Sequence, residues 1–174
     1  IGKIPLLNKT TEKVISEKIA NSKRLSIDAI SRFPFVHKEF VLIGERLRKE
    51  SIALKDIIQF SEYDEENLPR IAEEKKALLK TIDIISDLVR NEDKIYASYR
   101  DQLTSQKKKK EMLEAVKRNK EAISETIQSI RITNKFIRKI GKRIEKFLTK
   151  VREKEEIINK AQASLKRFKN IKNP

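Results

Sequence analysis

A chain of 174 residues holds one helical domain or two small ones, and with only 3 Gly, 4 Pro and no Trp its segments run long and unbroken. Charged residues at 39% and aromatics at 6% suit amphipathic helices better than a thick globular core. The absence of Cys excludes disulfides and thiolate metal sites, which is compatible with a reducing cytoplasm, and a net charge of +15 favours anionic partners.

In chain order, Leu6 and Leu7 lead into Asn8, whose side chain is suited to cap a helix, with Glu12 near the positive end of the helix dipole. Val14, Ile15 and Ile19 form a short apolar stripe, resumed by Leu25, Ala29 and Ile30. Phe33 precedes a proline and is biased out of the helical region, while Pro34 suits the first turn of the next helix. Val36, Phe40, Ile43 and Leu47 continue at helical steps, and Leu54, Ile57 and Ile58 predict another short helical piece. The acidic stretch 61–69, SEYDEENLP, is expected to be a loop separating 1–60 from 70–174.

Beyond it the apolar period lengthens. Ile71, Leu78, Ile82, Ile85 and Val89 form one stripe, with Tyr96, Tyr99 and Leu103 in the same phase after a weakening or bend at 91–93. Met112, Val116, Ile123, Ile127 and Ile130 form a second. Ile137, Ile140, Ile144, Leu148, Val151, Ile158 and Leu165 form a third. Spacing near 3.5 with charged flanks predicts an all-α fold: short helices at the N-terminal end, then long antiparallel helices packed as a bundle or coiled-coil-like hairpin.

No catalytic, cofactor or metal constellation is visible in this pattern. The single histidine, His37, has no Cys or second His beside it and is expected to be packed or solvated. Asp64, Glu65 and Glu66 lack the ligand spacing and glycine of a calcium loop. Three isolated glycines cannot build a phosphate loop, so no enzyme is expected. No apolar run approaches the length of a membrane span, and no large apolar face with bulky anchors suits a lipid surface.

The charge is uneven. Residues 1–101 carry 19 Lys/Arg and 18 Asp/Glu, whereas 102–174 carry 22 and 8. Within the basic part, Lys107, Lys108, Lys109 and Lys110 form the one charge run, expected as a loop tip or as a contact for phosphate or an acidic partner. Spacings of three and four place Arg131, Lys135, Arg138 and Lys142 along one helical face as a candidate partner-binding surface, with a solvated face as the plain alternative.

The opening stretch IGKIPLLNKTTEKVISEKI resembles the end of conserved region 1.2 of bacterial primary (housekeeping) sigma factors of RNA polymerase, through Gly2, Ile4, Leu6, Leu7, Glu12 and Ile19. Asn8 stands where that family usually has Thr, and both residues cap helices. Thr10 and Thr11 depart from its usual acidic or small residues. Phe33-Pro34 and Leu54-Lys55-Asp56-Ile57-Ile58 are similar to marks of the family's next helical pair. The stretch 123–160, with Ile130-Arg131-Ile132 between two amphipathic helices, looks like the late part of its non-conserved insertion.

The resemblance implies a cytoplasmic transcription-initiation module beside the promoter-reading domain, spanning the end of region 1.2 and the non-conserved region. Its implied partners are the RNA polymerase core near the clamp, transcription regulators, and promoter DNA through the full-length parent. It also implies an influence on promoter opening and escape, and no small-molecule substrate. Gly2, Lys3 and Ile4 are DNA-proximal by the same resemblance. The family's aromatic-rich promoter-melting segment has no counterpart here, which is what a fragment of such a factor would look like. The alternative from composition alone is a basic helical bundle serving as a structural or partner-binding scaffold.

Overall fold

The computed structural model describes residues 8–59, 68–102 and 105–171. They are helical almost throughout, as five α-helices: α1 (Lys9–Ser31), α2 (Pro34–Arg48), α3 (Leu68–Tyr99), α4 (Gln106–Gln128) and α5 (Asn134–Ile171). Two compact units divide the chain, Ile1–Ile137 and Arg138–Pro174.

Local chemistry sets the helix ends. Asn8 accepts hydrogen bonds from the Thr11 backbone N–H and the Thr11 hydroxyl, both at 2.7 Å, satisfying one orphan donor of α1. Extended Phe33, with φ −86° and ψ 122°, separates α1 from α2, and Pro34 opens α2. At the other end of α2 the Ser51 N–H reaches the Arg46 carbonyl at 2.9 Å and the Glu50 N–H reaches that of Leu47 at 3.2 Å. This is a Schellman closure, and it drives Glu50 to φ 54°.

The first unit has a continuous apolar interior. Ile27 and Ile30 of α1, Val36, Phe40, Ile43 and Leu47 of α2, Leu78, Ile82 and Ile85 of α3, and Val116, Ile123 and Ile127 of α4 are all buried. Phe40 meets Phe136 edge-to-face, with ring centroids 5.9 Å apart. Gly44 lets α2 approach α3 closely: a Cβ at that position would lie 2.7 Å from Ile82 Cγ2.

α3 and α4 run antiparallel. Asn91 donates to the Asn119 carbonyl oxygen at 2.9 Å, and Asn119 donates to the Leu88 carbonyl at 2.9 Å. Lys120 pairs with Glu92 at 3.4 Å. α1 also runs antiparallel to α4, through the Ser31–Ser124 hydroxyl pair at 2.6 Å and the Gln128 amide donating to Asp28 at 3.0 Å.

A short non-helical clasp closes the unit. Ile58 and Ile132 form an antiparallel bridge, in which the Gln59 N–H donates to the Arg131 carbonyl at 2.7 Å and the Thr133 N–H to the Ile57 carbonyl at 2.9 Å. Leu54–Asp56 is a single 3₁₀ turn leading into it.

Several expectations need correction. α1 is 23 residues long, not a short helix, and it buries Ile27, Ile30 and Ser31 while Leu25 stays 64% exposed and Ala29 faces water. α3 passes through 91–93 as one helix, because Asn91 and Glu92 find partners on α4. Leu68 and Pro69 already belong to α3; the rest of the expected acidic loop, 61–67, lies outside the described residues. The second unit is the continuation of α5. Ile140 and Ile144 are buried there, but Leu148, Ile158 and Leu165 of the same stripe are exposed.

Candidate interaction surfaces

The predicted basic face does not form as one helical stripe. Arg131 precedes α5, in the clasp, and donates to Glu74 of α3 at 2.7 Å. Lys135 donates to Asp56 at 2.8 Å. Both cations therefore close the unit from outside. Their side chains are 55% and 80% exposed, so each pair is a modest, salt-screened contact. Arg138 and Lys142 are exposed on α5, and neither has an ion pair among the described residues.

Lys107–Lys110 are not a loop tip. They occupy the first turns of α4, just after Ser105, whose side chain makes no capping hydrogen bond. All four are exposed; Lys108 meets Glu111 at 3.3 Å. Gly2, Lys3 and Ile4 lie outside the described residues.

A groove of about 590 Å³ lies between the end of α1 and α4, with Val116 and Leu113 as its apolar part and Asp28, Arg32, Lys117 and Glu121 among its charged lining. Arg32 donates to Asp28 at 3.0 Å, and Lys117 lies 3.9 Å from Glu121. The Arg32 hydrogen bond holds the Asp28 carboxyl below the usual carboxylate range, and Gln128 adds to the effect. The same bond raises the Arg32 guanidinium further. Sequence reading missed this groove because its walls come from positions 93 to 100 residues apart, the separations of Ser31–Ser124 and Asp28–Gln128. No local signal marks such a site.

The deepest titratable group nearby is His37, only 2% exposed, whose Nε2–H donates to the Ser31 carbonyl at 2.7 Å. Burial pushes its pKa down; Glu92 pulls it up and Lys120 pushes it down. The ring locks the start of α2 onto the end of α1, so of the two expectations for His37, packed or solvated, the structure has the packed one. Ser124 is buried and already paired with Ser31, so its hydroxyl is a structural link. Among the described residues no cluster of three His, Cys, Asp or Glu side chains is placed to hold a metal ion. No helix among them is long and apolar enough to cross a membrane.

The chain matches no protein-family model and no solved structure.

Proposed function

We propose that this chain is a segment of a bacterial primary sigma factor, acting in the cytoplasm as a helical module that contacts the RNA polymerase core near the clamp, beside the promoter-reading domain. One observation carries the reading. Two stretches that separately resemble that family, 54–58 and 130–132, are partners in the clasp, bridged at Ile58 and Ile132. Their partnership supports treating the resemblance as that of one folded module.

Within it Arg138 and Lys142 are the favoured polymerase or regulator contact, since Arg131 and Lys135 are engaged with Glu74 and Asp56. Promoter DNA enters through the full-length parent, with Gly2, Lys3 and Ile4 as the DNA-proximal end. The scaffold alternative has one observation in its favour, the exposure of Ile157, Ile158 and Leu165 on α5.

The test is binding of the full 174-residue chain to purified bacterial core RNA polymerase at 0.15 M salt, followed by biolayer interferometry. A saturable complex is expected, weakened about ten-fold by the Arg138→Glu, Lys142→Glu double variant and much less by Arg131→Ala, Lys135→Ala. A chain that does not bind the core, or whose affinity ignores the double reversal while the helix stays folded, overturns the proposal.

A further inference from the structure

The end of the α3–α4 pair gathers features that the polymerase reading does not use. The Asn91–Asn119 contact sets the register of the two helices. Carried outward, it brings Tyr99 and Tyr96 level with the second and third turns of α4. By that register Tyr99 lies level with Glu111 and Tyr96 with Glu114, so two of the three tyrosines in the chain lie within about two helical turns of its one lysine run. Tyr96 is 43% exposed, and Lys107, Lys109 and Lys110 are exposed without an ion pair among the described residues.

Around them, residues 92–101 and 105–118 carry eight cations, including Lys94, Arg100, Lys117 and Arg118, against five anions: Glu92, Asp93, Asp101, Glu111 and Glu114. Consecutive helical positions differ by about 100°, so four successive lysines surround α4 instead of making one face. A flat acidic protein surface meets one face of a helix. A flexible phosphate backbone can follow charge around a knob, and an exposed aromatic ring beside it offers a base a stacking platform whatever the sequence.

We propose that this end of the α3–α4 pair is a sequence-independent contact for single-stranded nucleic acid, with Lys107, Lys109 and Lys110 holding phosphates and Tyr96 stacking on a base. This contact is independent of polymerase binding: a chain that fails on the core enzyme and still binds through this end separates the two.

The experiment is fluorescence anisotropy of the full chain with labelled dT20, with a 20-base-pair duplex of mixed sequence, and with polyglutamate as competitor, across a salt series. The Lys107→Gln, Lys109→Gln, Lys110→Gln triple is expected to weaken dT20 binding by at least about ten-fold and to reduce the salt slope by about 2, three contacts at roughly 0.7 each for single strands. Tyr96→Ala is expected to weaken dT20 binding about five-fold or more and to spare the duplex, while Tyr96→Phe keeps the parental affinity. Lys146→Gln, Lys150→Gln, two exposed positions on α5, serves as the control elsewhere in the chain. An unchanged slope and affinity in the triple overturns the proposal, as does equal loss in the α5 control. Duplex binding that responds equally to Tyr96→Ala also overturns it. So does polyglutamate displacing dT20 at equal charge concentration, which would assign the end to an acidic protein.

Discussion

His37 and Glu50 each occupy a position that chemistry makes costly, and each cost has a sign. Burial depresses the His37 pKa in the folded chain, so the unfolded chain binds more protons below its ordinary value of 6.5. The stability it contributes is full above pH ~6.5 and is lost as pH falls from there through the folded pKa. Thermal melts between pH 7.5 and 5 are expected to show a falling midpoint, and His37→Gln, which keeps a donor for the Ser31 carbonyl, is expected to flatten that fall. Asp28, with its depressed pKa, loses its contribution only at more acid pH, below its ordinary value of 3.8, so the two windows separate. Glu50 pays for its left-handed backbone, which costs a non-glycine residue ~1–2 kcal/mol. Glu50→Gly gives up the Lys75 pair, in which Glu50 is 80% exposed, and is expected to raise stability by ~0.5–1 kcal/mol in urea unfolding. Neither position was legible as such: a lone histidine in a sequence says nothing of its burial, and the left-handed residue at a helix end is usually glycine.

Among the helices, the apolar periods were legible and the polar seams were not. Ile82, Ile85, Ile123 and Ile127 fall on the stripes read from sequence and are buried. The third stripe was read at equal strength along α5, yet only Ile140 and Ile144 are buried while Ile158 and Leu165 face water. Periodicity reports which face of a helix is apolar, and burial also needs a partner surface. Asn119 sits within the second stripe as a polar residue and is 6% exposed; its bonds to Asn91 and Leu88 depend on a helix 28 and 31 residues away. Gly44 is a similar case. Its lack of a side chain matters only because Ile82 faces it, and Gly44→Ala is expected to cost ~1–3 kcal/mol. Ile82→Leu removes the Cγ2 branch that the new methyl meets. It should recover part of that loss in the double variant, as a coupling energy in a double-mutant cycle read by urea unfolding.

For the chain as a whole, the sequence carried the all-α class and the basic bias after residue 102, whereas the pairing of individual cations lay beyond it. Arg131 and Lys135 read as equals of Arg138 and Lys142, but Glu74 and Asp56, which engage the first two, lie 57 and 79 residues away. Because Arg131 is half exposed, Arg131→Ala is expected to lower stability by less than ~1 kcal/mol, measured by thermal melting in low salt, with the difference shrinking as salt rises. The bridge between Ile58 and Ile132 has a consequence for how such a molecule changes over time. The polypeptide leaves and returns at one place, so the helical arm between those points resembles a ruler clamped at its zero mark. Removing or adding seven residues in each helix beyond Asn91 and Asn119 would shift the arm's end by ~10 Å and keep the same faces in register. Reach can then evolve, or be engineered, as a dimension separate from the identity of the base that holds it.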